Sequence, residues 1–251
     1  MFVYEADDYV SEQISIKGKW ESNETESFFL ALLFYENKKN ISKNDIYILD
    51  IGGNIGWYSL ILGKKGYNIL SFEPSKINYY ILLKNYCLNK EINLTIINKG
   101  LDNIEKNGSL YHHLKNIGNA LTSPNISVLN MNIKDYEIEE IKLCKLNDYI
   151  EFLKSQNVAL IKLDIEGYEG KAIESGIDLI IKYHIPFIFM EWTPSLLRSK
   201  GTDPKAFFDL FENNGYKIST KNFLSKQYVS AEQIVNEEQL NIYIIYNSFL
   251  H

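Results

Sequence analysis

Short apolar runs alternate with amphipathic segments along the chain from residue 46 onward. The apolar runs predict buried strands over Ile46–Ile51, Asn68–Phe72, Ile92–Asn98, Ala159–Leu163, Pro186–Glu191 and Asn241–Tyr246. The segments between them predict helices over Ile55–Lys65, Ser75–Asn89, Leu146–Ser155, Glu169–Lys182 and Pro204–Asn214. Strands that alternate with helices favour an α/β fold, in which a mainly parallel, Rossmann-like sheet carries helices on both faces.

The first 40 residues precede this alternation and are predicted to form an N-terminal helical extension. Trp20–Tyr35 carries apolar residues at helical spacing, and Ser22 or Asn23 is the candidate N-cap. Residues 41–251 are then expected to form one Rossmann-like domain, since 251 residues are enough for one large α/β domain.

The alternation is interrupted between residues 100 and 145, where a β-rich insertion is predicted. Turn signals occur at Asn107-Gly108, Gly118-Asn119 and Pro124-Asn125, with short strand-like pieces between them. We therefore expect an irregular hairpin that interrupts the alternating strands and helices.

Charge and cysteine content narrow the possible partners. The net charge is -6 and no run of Lys or Arg is longer than a pair, which disfavours a duplex nucleic acid as partner. Cys87 and Cys144 stand in unrelated contexts, so a structural zinc site is not expected. The first residues lack the pattern of a signal peptide, and no apolar run reaches the ~18 residues of a membrane span. A cytoplasmic location is the resulting expectation.

Acidic residues end four of the predicted strands. Asp50 precedes a glycine turn, Glu73 ends the next strand, Asp164 and Glu166 follow a later one, and Glu191 ends another. Ligands of open parallel sheets bind beyond the carboxyl ends of the strands. These acids are therefore predicted to surround a common cleft.

The glycine turn, DIGGNIG, is predicted to bind a cofactor through Asp50, Gly52, Gly53, Asn54 and Gly56. Glycines between a strand and a helix allow the backbone to approach a ligand closely. The G-x-G-x-x-G spacing of dinucleotide sites is absent. Instead, the carboxylate of Asp50 suits a cationic ligand such as S-adenosyl-L-methionine (SAM), which carries an ammonium and a sulfonium group.

Glu73 lies 21 residues after Gly52, a spacing at which an acid can accept both ribose hydroxyls of an adenosine. SAM and NAD share this ribose. Glu73 therefore predicts an adenosine ligand without choosing between the two.

The segment KLDIEGYEG, residues 162–170, places three acids around two glycines directly after a predicted buried strand. Like charges at close range repel one another, so folding alone explains such a cluster poorly. Asp164 and Glu166 could orient a substrate hydroxyl, act as a base or hold a metal ion. We favour a base over a metal ion, because few further oxygen ligands are expected within reach.

The order of DIGGNIGWYS, SFEPS, LIKLDIEGYEGKAIESG and FIFMEWTP resembles the FkbM family of SAM-dependent methyltransferases over roughly residues 20–218. The resemblance implies a class I methyltransferase sheet and methylation of a hydroxyl on a small molecule or a glycan. It also implies that Asp50, Gly52, Asn54, Gly56 and Glu73 line the SAM site. Asp164 and Glu166 would then lie between cofactor and substrate.

Six further residues are candidates for contacts with the substrate: Trp20, Glu21, His112, His113, Glu191 and Trp192. Trp20-Glu21 resembles a short motif that often precedes the glycine turn in this family. The histidines could serve as a base or contact the substrate, and Trp192 could form a wall of the site or pack in the core.

Two other functions remain open at this point. An NAD-dependent sugar oxidoreductase or epimerase would share the sheet and Glu73. A non-catalytic module that binds an adenosine ligand would keep the fold without the chemistry.

Overall fold

The computed structural model describes residues 1–5, 8–113, 116–122 and 133–251. The strands are β1 (Ile46–Ile51), β2 (Asn68–Phe72), β3 (Leu94–Ile97), β4 (Gly100–Leu101), β5 (Lys106–His113), β6 (Asn116–Thr122), β7 (Tyr136–Cys144), β8 (Asn157–Leu163), β9 (Phe187–Trp192), β10 (Tyr216–Ser219) and β11 (Leu240–Tyr246). The α-helices are α1 (Tyr9–Lys17), α2 (Ser22–Lys39), α3 (Trp57–Lys64), α4 (Lys76–Cys87), α5 (Ile150–Leu153), α6 (Glu169–Lys182), α7 (Pro194–Ser199), α8 (Pro204–Asn213) and α9 (Ala231–Ile234).

Within the described residues, seven strands form the main sheet in the order β10-β11-β9-β8-β1-β2-β3. The pairs from β9 to β3 are parallel, whereas β11 runs antiparallel to both β9 and β10. The prediction of a mainly parallel α/β sheet is therefore confirmed. The carboxyl ends of β9, β8, β1, β2 and β3 meet along one edge in that order, which fixes the neighbours of each strand-end residue.

Alternate residues of the strands face opposite sides of the sheet, and each side is covered by helices. One core joins Leu49 and Ile51 of β1 to buried residues of α6 and α8. The other joins Ile46 and Ile48 to α2, α3 and α4. Burial on both faces explains why the strands read as nearly continuous apolar runs in the sequence.

A smaller sheet has the order β4-β7-β5-β6 and lies in the region predicted as a β-rich insertion. Two of its predicted turns are wrong, because Asn107-Gly108 lies within β5 and Gly118-Asn119 within β6. A Cβ at Gly108 would lie 2.9 Å from Leu143 Cδ1, so a larger residue there would require that side chain to shift. The predicted turn at Pro124-Asn125 lies outside the described residues.

Further differences concern the ends and the short elements. The N-cap of α2 is Glu21, not Ser22 or Asn23. The helix predicted over Leu146–Ser155 is a 3-10 turn over Leu146–Tyr149 that continues into the single turn of α5. The predictions did not include α1, α7, β10 and α9. In the described part of the chain, no helix combines the length and the apolar character that crossing a membrane requires.

Candidate functional site

A cavity of about 520 Å³ opens at the carboxyl ends of the parallel strands. Glu191 of β9, Asp164 after β8, Gly52 after β1 and Glu73 after β2 all line it. This volume lies within the usual range for small-molecule sites. The strand order therefore brings acids from three of the four predicted strand ends to one cleft, and Gly52 lines it at the fourth.

The lining of the cavity differs between its two sides. Acidic side chains dominate near β8 and β9, while apolar ones dominate beside β3 and the smaller sheet. The acids are Glu21, Asp164, Glu166 and Glu191, with Glu73 at the end of β2, and the apolar residues beside β3 and the smaller sheet are Pro74, Leu101, Leu110, Ala120, Ile141 and Leu143. Among the described lining residues there is no Lys, Arg or His. Such an acid-lined site favours cationic or neutral ligands.

Each glycine of the turn lies so close to neighbouring atoms that a Cβ would collide with them. Gly52 lines the cavity at φ +84, and a Cβ there would lie 2.0 Å from the carbonyl oxygen of Asp164. A Cβ at Gly53 would lie 2.2 Å from Ser71 Oγ, and one at Gly56 would lie 2.3 Å from a methyl group of Leu82. The sequence predicted that all three glycines bind the cofactor. In the structure, only Gly52 also lines the cavity.

Asp50 does not line the cavity, contrary to the prediction that its carboxylate contacts the cofactor. It is 1% exposed, and its Oδ2 accepts a hydrogen bond from Ser59 Oγ. Its Oδ1 lies 3.5 Å from Lys162 Nζ and accepts no hydrogen bond within the described residues. The carboxylate is therefore turned toward a buried cation inside the protein.

Lys162 is a residue to which the sequence assigned no role. Its Nζ donates to the carbonyl oxygen of Gly52 at 2.8 Å and lies 3.6 Å from Asp164 Oδ2. Burial alone would lower the pKa of Lys162, but nearby carboxylates, chiefly those of Asp164 and Asp50, raise it above its ordinary value. Lys162 thus stays protonated and joins the glycine turn to the loop after β8. The signal in the sequence was a lysine inside the apolar run ALIKLDI.

Glu73 lines the cavity at the end of β2 and is only 5% exposed. Its Oε2 accepts from the amide of Asn54 at 2.7 Å, and its Oε1 accepts from the amide of Ser75 at 2.8 Å. Burial raises the pKa of Glu73 to about 7, although these two amides act in the opposite direction. Glu73 therefore holds the backbone amide of Asn54, a residue that also lines the cavity. The carboxylate oxygens of Glu73 retain lone pairs for further donors.

Asp164 and Glu166 both line the cavity and occupy a tightly turned loop. Glu166 and Gly167 adopt positive φ angles of 56° and 95°. Glu169 stabilises the loop from the protein interior. It is 2% exposed and accepts a hydrogen bond from the amide of Ile165 at 3.0 Å. Burial raises the pKa of Glu169 to about 8. The third acid of the motif is thus a buried support.

The predicted substrate residues near β9 have different locations. Glu191 lines the cavity and accepts a hydrogen bond from Gln239, a residue that precedes β11. Trp192 is fully buried, donates its indole N–H to the carbonyl oxygen of Ile234 and packs against Phe207. The structure therefore contradicts a substrate wall at Trp192, because its ring points to the opposite side of β9.

His112 and His113 lie within β5 and are not among the described residues that line the cavity. His112 is 2% exposed, and its Nε2 is 3.0 Å from Glu139 Oε2. His113 packs edge-to-face against Tyr136. The structure does not support the prediction that these histidines act as base or substrate contacts, because both rings pack within the smaller sheet.

Trp20 and Glu21 line the cavity from the connection between α1 and α2. The ring of Trp20 packs edge-to-face against Tyr9, which also lines the cavity. Glu21 accepts a hydrogen bond from the hydroxyl of Tyr58. The N-terminal residues thus form the wall that faces the acids after β8.

No group of three or more His, Cys, Asp or Glu side chains in the described residues is arranged to hold a metal ion. A smaller cavity of about 240 Å³ adjoins the main one and shares Ile141, Leu143 and Tyr168 with it. Its remaining described lining comes from β5, including Lys106 and Ser109. The main cavity itself reaches from the strand ends to the smaller sheet.

The sequence of residues 50–218 matches the family described as the methyltransferase FkbM domain. Comparison with curated proteins finds no match. Among solved structures, two of WbdD, described as a bifunctional kinase-methyltransferase, are similar to this chain at 11% and 12% identity, with TM-scores of 0.52 and 0.51. The similarity covers 98% of this chain and 45% and 46% of the WbdD chains, so this chain spans less than half their length.

Proposed function

Because this chain belongs to the family of FkbM methyltransferase domains, we propose that it transfers the methyl group of SAM to a hydroxyl oxygen of a small molecule or a glycan. The observation that carries the proposal is the acid-lined cavity at the strand ends, where Glu73 stands beside the glycine turn and no described lining residue is cationic. The proposal has two parts, the cofactor and the acceptor.

The residues present fit SAM. Glu73 would accept the ribose hydroxyls, and Pro74 and Leu101 offer an apolar surface beside it for the adenine ring. The turn at Gly52 and Asn54 would hold the methionyl part, and the carboxylates on the other side of the turn suit its positive charges. SAM supplies an electrophilic methyl group on a sulfonium sulfur. The protein supplies binding, orientation and the exclusion of water.

The acceptor would lie on the side of β8 and β9, where carboxylates stand opposite the rings of Trp20 and Tyr9. Aromatic rings combined with hydrogen-bonding groups suit a neutral or cationic hydroxylated molecule. Asp164 and Glu166 would accept the hydrogen bond of the reacting hydroxyl and orient its oxygen. The smaller cavity beside Tyr168 would hold the remainder of the acceptor.

An NAD-dependent oxidoreductase fits less well, because the glycine spacing of dinucleotide sites is absent. Isothermal titration with SAM, S-adenosylhomocysteine (SAH) and NAD distinguishes a methyltransferase from an NAD-dependent oxidoreductase. Binding of NAD without SAM would refute the proposal.

The acceptor is to be found by incubating the protein with methyl-labelled SAM and a panel of oligosaccharides, nucleotide sugars and small hydroxylated metabolites. We expect label in a neutral or cationic member of the panel, with SAH formed in equal amount. Binding of SAM without transfer to any member would favour a non-catalytic module that binds an adenosine ligand.

Replacing Glu73 with alanine is expected to weaken the binding of SAM and SAH alike. The ribose is common to both ligands, and hydrogen bonds to a charged group contribute about 1.5–3 kcal/mol. Isothermal titration measures both affinities. Glu91→Ala, which removes a carboxylate paired with Lys64 at the surface, is the matched control and should leave both unchanged. Unchanged affinity in Glu73→Ala would refute the assignment of Glu73.

Asp164→Asn and Glu166→Gln are expected to lower turnover of the identified acceptor by about 10–100-fold each, and by a larger factor than they weaken SAM, since Asp164 also faces the positive charges of the cofactor. Each amide keeps the shape of the side chain but loses the charge that strengthens a hydrogen bond from the hydroxyl. Transfer of label and SAM titration measure the two quantities separately. Asp209→Asn, on the exposed side of α8, is the control.

Two results would contradict this assignment. Full activity in both variants would show that neither acid orients the hydroxyl. Loss of wild-type activity in EDTA, with recovery in Mg²⁺ or Mn²⁺, would show instead that the pair holds a metal ion.

A further inference from the structure

Glu21 differs from the other carboxylates of the cavity, because it lies on the connection between α1 and α2 and not at a strand end. Its φ of 40° and ψ of 60° are values that residues other than glycine rarely adopt. It is the N-cap of α2, yet its side chain makes no capping hydrogen bond. The carboxylate instead accepts from the hydroxyl of Tyr58. Strained backbone of this kind persists where the surrounding structure holds it, often at functional sites.

The charged and titratable groups that act on Glu21 come from α2, α3, β11 and the end of β8. They are Glu24 of α2, Tyr58 of α3, Lys162 and Asp164 from β8 and the residue after it, and Tyr243 of β11. Burial raises the pKa of Glu21 to about 7, and the hydrogen bond from Tyr58 opposes this rise. A carboxylate that titrates near neutrality is suited to accept a proton under physiological conditions.

The contacts of Tyr58 place Glu21 on the side of the glycine turn that carries Asp164. Lys162 Nζ lies 5.6 Å from the centre of the Tyr58 ring and donates to the carbonyl oxygen of Gly52. Glu73 stands on the other side of the turn, at the end of β2. A ligand whose ribose lies at Glu73 and whose methionyl part follows the turn would therefore direct its sulfonium toward Glu21 and Asp164.

We propose that Glu21 faces the sulfonium end of bound SAM and takes the proton of the acceptor hydroxyl during methyl transfer. This inference rests on the proposed function and adds to it the destination of the proton. The acceptor oxygen forms a bond to the methyl carbon, and the electron pair of the broken carbon–sulfur bond stays on sulfur. The hydroxyl proton passes to the Glu21 carboxylate. One positive and one negative charge disappear together, so the net charge of the site is unchanged.

The comparison of SAM with SAH tests this placement without an acceptor, because the two ligands differ at sulfur and share the ribose and the amino acid part. We expect the ratio of the SAH to the SAM dissociation constant to rise about tenfold between pH 5.5 and 8.5, with a midpoint near 7, as Glu21 ionises. In Glu21→Gln the ratio should stay constant with pH. In Tyr58→Phe the midpoint should move to higher pH, because the hydrogen bond that favours ionised Glu21 is lost.

Glu24→Gln is the matched control, since Glu24 is one helical turn away and bonds Asn241 outside the cavity. It should keep the rise of the ratio with pH, with the midpoint moved only toward lower pH, because the Glu24 charge raises the pKa of Glu21. With the identified acceptor, Glu21→Gln should lower turnover by about 10²–10⁴-fold, as expected for loss of a positioned base.

The possible failures are distinguishable. Absence of SAM and SAH binding in the wild type would refute the proposed function itself. Binding of both with a ratio that does not change with pH, or full turnover in Glu21→Gln, would overturn only the role of Glu21.

Discussion

Replacing Lys162 with methionine is expected to destabilise the protein by about 3–5 kcal/mol, the usual cost of removing one partner from a buried ion pair. The substitution keeps a long side chain in β8 but leaves the carboxylate of Asp50, which is 1% exposed, without its cation. It also removes the donor to the carbonyl oxygen of Gly52. Urea unfolding followed by circular dichroism measures the loss.

A double-mutant cycle assigns this loss to the pair. Lys162→Met combined with Asp50→Asn should be less destabilised than the sum of the two single variants, because the second substitution removes the unpaired charge. Lys64→Met breaks an exposed pair with Glu91 and should cost only about 0–1 kcal/mol. Additive effects of Lys162→Met and Asp50→Asn would contradict the ion pair.

Replacing Gly52 with valine is expected to cost roughly 2–5 kcal/mol in stability, which combines strain at φ +84 with overpacking. A Cβ at this position would lie 2.0 Å from the carbonyl oxygen of Asp164, a backbone atom that cannot move unless the loop after β8 moves. The substitution would thus separate the two loops that carry the site. Urea unfolding measures the loss of stability, and titration with SAM measures the affinity of the fraction that folds.

Gly201 offers a matched control for the strain alone. Its φ is +81, and a Cβ there would meet no atom within 4 Å. Gly201→Val should therefore cost only about 1–2 kcal/mol. If Gly52→Val were no more destabilised than Gly201→Val, the close contact between Gly52 and Asp164 would be refuted.

Local patterns in the sequence predicted the main sheet well. The bounds predicted for β1, β2 and α6 agree with the structure to the residue. Strands buried on both faces and a strongly amphipathic helix leave clear hydrophobic signals. The strand ends then place Glu73, Asp164 and Glu191 at one edge, because parallel strands bring their carboxyl ends together.

The orientation of several candidate site residues depends on contacts between distant segments. Such contacts could not be predicted from the sequence. Asp50 looked like a ligand for a cationic cofactor, yet its partner is Lys162, more than 100 residues away in the chain. Trp192 alternates with Glu191 along β9, and only the packing of α8 and α9 shows which of the two faces the core. His112 was assigned to an irregular hairpin, whereas pairing of β5 with β7 buries it.

The location of α2 has a consequence for engineering this protein. Phe28, Ala31 and Leu32 of α2 are fully buried, and Phe28 packs against Phe189 of β9. The segment that presents Glu21 and Trp20 to the cavity is therefore continuous with the helix that covers one face of the sheet. Exchanging this segment with that of a relative would alter the acceptor wall and the hydrophobic interior in a single step. Changes of substrate preference made by such exchange would require compensating substitutions on β9, so selectivity and folding would have to be optimised together.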